Sequence, residues 1–258
     1  MSSAQSESTP AQRREALKEV FAQAKGCVRC PELAATRKTV VFGSGNADAE
    51  LMFVGEAPGA SEDEQGVPFV GRAGKLLETL LEEVGLQRTD VFIANTLKCR
   101  PPGNRDPLPI EIDNCQDYLH RQVELIQPTV ICTLGNFSTK LLRGDPTGIT
   151  RLHGQAEVLT LGRRAVRLYP IFHPAAALYT PRMLETLRED FAGLPQLLAM
   201  GAPEQPSLEE VPEIDGAPSA GGQPGAVDPG EPPERAAQDD VAAGGGGQAA
   251  EADQLGLF

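Results

Sequence analysis

The sequence predicts a three-layer α/β/α protein, in which a mainly parallel, four-stranded central sheet lies between helices. Short apolar runs of strand length alternate along the chain with longer segments of helical periodicity. Such alternation favours parallel strands joined by crossover helices, because parallel neighbours cannot be linked by a tight turn. About 190 residues precede a tail of different composition, which is enough for one such core.

The predicted elements follow in chain order. An amphipathic helix covers 11–25, where Leu17, Val20, Phe21 and Ala24 recur at helical spacing. The predicted strands are 51–54, 91–94, 129–134 and 166–172, and we expect the last to pair with 158–161. The other predicted helices are 71–84, 110–126, 137–142 and 183–198.

Composition divides the 258 residues into a disordered lead at 1–10, a folded domain at 11–200 and a disordered tail at 201–258. The tail contains eight prolines and eleven glycines and has almost no periodic apolar pattern. It also carries −11 of the total net charge of −13. The acidic balance is therefore no argument against a nucleic-acid partner for the nearly neutral folded domain.

The sequence predicts a cytoplasmic protein. It contains no apolar run of the roughly 18 residues that a membrane span requires, and its first residues lack the apolar core of a secretion signal. The cytoplasm is reducing, so the five cysteines favour metal or cluster ligation over disulfides.

Each predicted strand is followed by residues that could bind a ligand. Glu56 lies in Gly-Glu-Ala-Pro-Gly after the first strand, Asn95 follows the second, Gly135 the third and His173 the fourth. Ligands of open α/β sheets bind beyond the carboxyl ends of the strands, so we expect these side chains to form one site. The glycine-containing turn is not a phosphate-binding loop, because no Gly-Lys-Ser/Thr follows it.

Four cysteines at uneven intervals indicate a second site. Cys27 and Cys30 form a C-x2-C pair. Sixty-eight residues separate Cys30 from Cys99, and fifteen separate Cys99 from Cys115. Four thiolates suit either zinc or an iron–sulfur cluster, and the wide second pair favours a cluster over a zinc ribbon. Cys132, within the apolar run VICTL, is predicted to be a buried core thiol.

Four motifs together resemble those of the family 4, or iron–sulfur, uracil-DNA glycosylases. They are GEAPG with Glu62-Asp63, GVPFVGRAG, ANTLKCRPPGNRDP and HPAAAL, and the resemblance covers about residues 15–198. It implies hydrolysis of the bond between uracil and deoxyribose in DNA, which leaves an abasic site. It also implies a [4Fe–4S] cluster held by Cys27, Cys30, Cys99 and Cys115.

The same resemblance implies roles for the residues at the strand ends. Phe69 stacks on the flipped uracil, Asn95 pairs with its O4 and N3–H, and the Ala57 backbone N–H contacts the base. His173 donates a hydrogen bond to O2 of the departing uracil. The family 1 enzymes have an Asp where this chain has Ala57, so Glu56, with Asp63 as a weaker candidate, is expected to orient the water.

Contacts with DNA and with a protein partner are further expectations. The basic candidates for phosphate contacts are Arg100, Arg105, Lys98, Arg72 and Lys75. By superfamily analogy, Leu178 or Tyr179 would fill the vacated base stack. The C-terminal QLGLF, with Gln254, Leu255, Leu257 and Phe258, resembles the peptide by which bacterial repair proteins bind the β sliding clamp. We expect a monomer.

Two other functions are compatible with parts of the sequence. A related protein class binds uracil-DNA and traps the abasic product covalently, but its members carry a histidine in a basic loop after the second strand. The corresponding KCRPPGNRDP contains no histidine. An iron–sulfur electron carrier is the second alternative, and it leaves GEAPG and HPAAAL unexplained.

Overall fold

The computed structural model describes residues 8–206, whose strands form one six-stranded sheet in the order β1-β3-β2-β4-β6-β5. The four inner strands are parallel, and β1 and β5 add antiparallel edges. The strands are β1 Ser44–Gly45, β2 Leu51–Gly55, β3 Phe92–Asn95, β4 Val130–Leu134, β5 Glu157–Leu161 and β6 Arg164–Ile171. The predicted four-stranded parallel core and its pairing with the 158–161 strand are confirmed. The two-residue β1 was not predicted, because it is too short to show a period.

The helices are α1 Pro10–Lys25, α2 Pro31–Thr36, α3 Ala60–Gln65, α4 Arg72–Glu83, α5 Pro109–Ile126, α6 Asn136–Arg143, α7 Pro174–Ala177, α8 Pro181–Ala192 and α9 Leu194–Ala199. The predictions for α1, α4, α5 and α6 are correct to within one residue or so at each end. The prediction of one helix over 183–198 is wrong, since it divides at Gly193, which Pro195 follows closely. The helices α2, α3 and α7 have four to six residues and were not predicted.

Both faces of the sheet are buried, each against a different set of helices. Met52 and Val54 of β2 face the core that contains buried residues of α1 and α5. Leu51 and Phe53 face the opposite core, with buried residues of α4 and α8. Successive side chains of a strand point to opposite faces, so a strand buried on both faces is apolar throughout. The predicted three layers are confirmed.

Strand register brings the carboxyl ends of the parallel strands to one edge. Gly55 at the end of β2 is paired with Asn95 at the end of β3, and Leu134 of β4 is paired with Ile171 of β6. The loops that follow these four positions therefore start side by side. The strand ends and these loops together carry Glu56, Asn95 and His173, the side chains that the sequence assigned to the first site.

The last described residues lie against the sheet. Gln205 exchanges two side-chain hydrogen bonds with the backbone of Ala165, and Arg167 donates to the carbonyl of Gly201.

No helix among residues 8–206 has both the length and the apolar character needed to cross a membrane.

Candidate active site

A buried carboxamide and an aromatic ring meet over Gly55. A Cβ at this glycine would lie 2.4 Å from Oδ1 of Asn95 and 3.0 Å from the ring of Phe69, so only glycine allows both groups to approach the strand end. Asn95 is 2 % exposed, and its carboxamide makes no hydrogen bond to any group within residues 8–206, although its polar atoms keep slight access to solvent. A buried amide normally has partners, so this one offers its donor and its acceptor to a ligand.

His173 completes the group. Its ring lies 5.4 Å from the Phe69 ring, centroid to centroid, at an interplanar angle of 29°. Gly135, with a left-handed φ of 94°, makes room behind it, since a Cβ there would lie 3.2 Å from the Cβ of His173. The sheet edge thus brings together Asn95, Phe69 and His173, which are separated by up to 104 positions in the chain.

The protonation of His173 is fixed by its surroundings. Its Nδ1 accepts a hydrogen bond of 3.1 Å from the backbone N–H of Ala175. Burial lowers the pKa of this imidazole to about 4. The ring is therefore neutral at pH 7 and carries its single proton on Nε2. It can donate a hydrogen bond without a positive charge.

Glu56 directly follows Gly55, and its backbone is held by the loop that follows β3. Its carbonyl accepts hydrogen bonds from the N–H of Leu97, at 3.0 Å, and from the hydroxyl of Thr96. Burial, with a smaller contribution from the charge of Asp106, raises the pKa of Glu56 to about 7. A carboxyl group with such a pKa can exchange protons near neutral pH.

The segment that carries Phe69 is held by two charged side chains that the sequence prediction did not identify. The carboxylate of Glu62 accepts hydrogen bonds from the N–H groups of Val70, at 3.2 Å, and Gly71, at 3.3 Å. The guanidinium of Arg88 donates to the carbonyls of Pro68 and Phe69. Glu62 lies within the resemblance motifs, whereas no local pattern of sequence marks Arg88.

Two residues that the sequence placed near the chemistry have structural roles. Asp63 is buried, and its carboxylate accepts from the N–H groups of Lys38 and Thr39, so it is not free to orient a water. Lys98 is 1 % exposed and donates to the carbonyl of Asn95 and to Gln122. The expectation that Lys98 contacts phosphates is wrong, because its ammonium group is enclosed.

The remaining DNA-contact candidates differ in how free they are. Arg105 is paired with Glu111 and Glu32, and Arg100 donates to Asn104. Arg72 lies over the exposed ring of Tyr179, 5.3 Å from its centroid, and donates to its hydroxyl. This pair connects the first turn of α4 with the segment that follows α7. Lys75 is exposed, and Leu178 is partly exposed beside Tyr179.

The four predicted ligand cysteines line one cavity between α1, α2, α5 and the loop after β3. Each sulfur also accepts a hydrogen bond, from Arg29 to Cys27, from Asn114 to Cys30, from Arg37 to Cys99 and from the N–H of Lys98 to Cys115. Donors directed at sulfur are typical of cluster thiolates, whose charge they stabilise. The donor set therefore fits the implied cluster.

Within residues 8–206 no group of three His, Cys, Asp or Glu side chains is arranged to hold a single metal ion. Cys132 lies apart, fully buried in β4 as predicted.

Comparisons with known proteins agree with this geometry. A family model described as the uracil DNA glycosylase superfamily matches residues 42–193. A type-4 uracil-DNA glycosylase of Archaeoglobus fulgidus is 43% identical over 198 residues, which are 75% of this chain and 98% of that protein. The chain belongs to the type-4 uracil-DNA glycosylase family.

Other members of the family are similarly related to the chain. The type-4 uracil-DNA glycosylase of Saccharolobus solfataricus is 45% identical over 182 residues, which are 69% of this chain and 84% of that protein. The one from Thermotoga maritima is 43% identical over 164 residues, or 63% of this chain and 83% of that protein. Membership confirms the resemblance drawn from the four motifs. Gln254, Leu255, Leu257 and Phe258 lie outside the described residues.

Proposed function

We propose that this uracil-DNA glycosylase holds a flipped uracil between Phe69, Asn95 and His173 and hydrolyses its bond to deoxyribose. The activity follows from the family: a DNA-repair hydrolase releases free uracil and leaves an abasic site, which begins base excision repair. The observation that carries the site assignment is the nearly enclosed carboxamide of Asn95, which has no partner among the described residues and lies beside an aromatic ring and a neutral imidazole. A base in duplex DNA reaches such a pocket only by leaving the stack.

Asn95 accounts for the choice of base. Its Oδ1 accepts from N3–H of uracil, and its Nδ2 donates to O4. Cytosine presents an acceptor at N3 and a donor at C4, so both contacts would be lost. An unpaired buried polar group costs about 1–3 kcal/mol, which gives substantial discrimination over the two contacts. The ring of Phe69 supports the base from one side, and the N–H of Ala57 lies at the same strand end as a further contact.

His173 stabilises the leaving group. Negative charge develops on O2 of uracil as the glycosidic bond breaks, and a donor already in place lowers the barrier by about 3–4 kcal/mol. Nε2–H is the available donor, because Nδ1 is occupied by the N–H of Ala175. A neutral ring fulfils this role without itself losing or gaining a proton.

Glu56 acts on the sugar side. Its carboxylate, when ionised, stabilises the positive charge that develops on deoxyribose and orients the attacking water. Its raised pKa means that an appreciable fraction is protonated at neutral pH. Asp63 does not compete for this role, since backbone N–H groups already occupy its carboxylate.

The cysteine site would hold a [4Fe–4S] cluster through Cys27, Cys30, Cys99 and Cys115. When bound, the cluster supplies iron–thiolate bonds that cross-link three separate segments of the chain. Arg29, Arg37 and Asn114 would support it through their hydrogen bonds to sulfur. We assign it a structural role, with no redox step in the hydrolysis.

The DNA surface and the tail complete the proposal. Residues 11–200 form the catalytic domain, whose phosphate contacts come from Arg72, Lys75, Arg100 and Arg105, and Leu178 or Tyr179 fills the vacated stack. The C-terminal Gln254, Leu255, Leu257 and Phe258 bind the bacterial β sliding clamp. A tether that holds the enzyme on DNA raises its effective concentration there. The catalytic domain acts as a monomer.

A single-turnover assay on a uracil-containing oligonucleotide, followed by alkali, tests the assignment. The wild type should yield strand scission and free uracil, whereas a covalent trap would yield a complex that resists denaturation. His173→Ala should lose about 100- to 1,000-fold in rate, the usual effect of removing one such donor, and should retain part of its affinity for uracil.

The matched control is His120→Ala. His120 lies on α5 and has no part in the site. Its rate should equal that of the wild type. Equal rates for His173→Ala and His120→Ala would remove His173 from the mechanism.

A further inference from the structure

Phe69 has an unusual backbone conformation. Its φ of 54° is left-handed, which L-residues other than Asn and Asp seldom adopt. Such a residue costs free energy and persists only where its surroundings determine it, commonly at ligand sites. Phe69 nevertheless presents its ring beside His173 and over Gly55, where the flipped base would stack. Some other group must therefore hold this backbone in place.

Arg88 makes the contacts that could do so. It lies in a 3-10 turn before β3, nineteen positions after Phe69. One guanidinium nitrogen donates to the carbonyl of Phe69 at 3.0 Å, and the other donates to the carbonyl of Pro68. The two carbonyls flank the φ and ψ bonds of Phe69, so their directions define its conformation.

Arg88 is itself held in place by α4. Its side chain is 24 % exposed, and it pairs with Glu78 at 3.2 Å. Gly74, one turn earlier on the same helix, brings the helix close to the segment, since a Cβ there would lie 1.8 Å from the Phe69 carbonyl oxygen. The carbonyl side of the segment thus faces Arg88 and α4, while Glu62 holds the N–H groups of Val70 and Gly71.

We propose that Arg88 is a positioning residue for base recognition, which acts by holding the backbone of Phe69 in the conformation that presents its ring to uracil. This inference rests on the proposed stacking role of Phe69. It assigns a role in base recognition to a residue outside the four motifs and away from the base. The planar fork of arginine matters, because one lysine ammonium cannot span both carbonyls and Glu78 in the same geometry.

The test measures inhibition by free uracil, which contains no phosphate and so separates stacking from DNA binding. Phe69→Ala should weaken uracil by roughly 5- to 150-fold, as stacking losses do. Arg88→Met, which keeps the aliphatic stem, should weaken it by about 5- to 20-fold through a displaced ring. Arg88→Lys should give an intermediate value, and it replaces Arg88→Met if the latter does not fold.

A double-mutant cycle shows whether Arg88 acts through Phe69. In the Phe69→Ala background, Arg88→Met should change uracil affinity by less than about twofold, the usual scatter of additive effects. Arg188→Met is the matched control. It breaks an exposed ion pair between Arg188 and Glu83, and Glu83 lies on α4, the helix that also carries Glu78. It should leave uracil affinity unchanged.

The outcomes separate this inference from the stacking role. If Phe69→Ala binds uracil normally, the stacking role of Phe69 fails. If Phe69→Ala weakens uracil but neither Arg88 variant does, the positioning role is overturned and the stacking role remains. An equal effect of Arg88→Met with and without Phe69 also overturns the positioning role, because Arg88 would then act elsewhere.

Discussion

Asn95 carries the specificity of this account at the scale of single residues. Its side chain is almost entirely enclosed and its carboxamide has no partner within the described chain, although its polar atoms keep slight access to solvent. A protein tolerates such a group where a ligand supplies the missing hydrogen bonds. The unpaired amide is therefore available for recognition of a base.

Glu56 should control the pH dependence of the reaction. Its pKa of about 7 predicts a single-turnover rate that rises about tenfold per pH unit below 7 and levels above it, because the carboxylate is the active form. The imidazole of His173, with a pKa of about 4, adds no change between pH 5 and 9. Glu56→Gln should be slow and should lose the rise. A wild-type rate that is constant from pH 5 to 9 would contradict this role.

The same carboxyl group should affect stability in the opposite direction. Its pKa is higher in the folded protein than the ordinary value of 4.5, so folding is favoured by the protonated form and weakened as pH rises through 7. Thermal melts should therefore show Glu56→Gln gaining Tm relative to the wild type at pH 8 but not at pH 4. The gain tests the raised pKa independently of activity.

Sequence reasoning could identify residues that lie in motifs and not those that act at a distance. Glu56, Asn95 and His173 each follow an apolar strand, so their shared edge could be predicted. The burial of Lys98 could not, because a lysine in a polar motif gives no sign that Asn95 and Gln122 enclose it. Arg88 contacts backbone carbonyls, which leave no pattern in the sequence.

At the scale of elements, the four cysteines bring together parts of the chain that are distant in sequence. Cys27 and Cys30 lie between α1 and α2, Cys99 follows β3, and Cys115 is on α5. Outside this site, α1 is held mainly by packing against α5. The loop after β3 begins directly after Asn95 and carries Cys99 four residues beyond it, so the proposed cluster site and base pocket share one support.

Replacement of one ligand should therefore loosen the N-terminal elements. Cys99→Ser should lose the broad visible absorption of an iron–sulfur cluster and lower Tm by on the order of 10 °C, equivalent to about 3 kcal/mol at this size. Limited proteolysis should cut first near α2. Cys132→Ala is the matched control, because this thiol is buried in β4 away from the cavity, and it should keep the absorption. Normal absorption and proteolysis of Cys99→Ser would exclude Cys99 as a ligand.

Element types were predicted well where a period was long enough to count. The inner strands and α1, α4, α5 and α6 are examples, whereas α2, α3 and α7 are single turns or little more. The division between α8 and α9 was missed because apolar residues continue in phase across Gly193. Periodicity records which face is buried and is insensitive to a local break in the backbone.

At the scale of the whole molecule, the net charge and the proposed active site lie in different parts of the chain. The net negative charge is concentrated in 201–258, while the domain that acts on DNA is nearly neutral overall. Deletion of residues 254–258 should abolish association with the bacterial β sliding clamp, measured by surface plasmon resonance. It should leave activity on short oligonucleotides unchanged. A scrambled terminal pentapeptide is the control, and clamp binding that survives both changes would refute the assignment.

The topology of the sheet explains why distant residues form one site, since four parallel strands end at one edge. A crystal structure of the protein soaked in free uracil tests this account most directly. We predict density for a ring stacked on Phe69, with N3–H and O4 at Asn95, O2 within hydrogen-bond distance of Nε2 of His173, and Glu56 at the open side. Uracil bound elsewhere, or bound here without contact to Asn95 and His173, would contradict it.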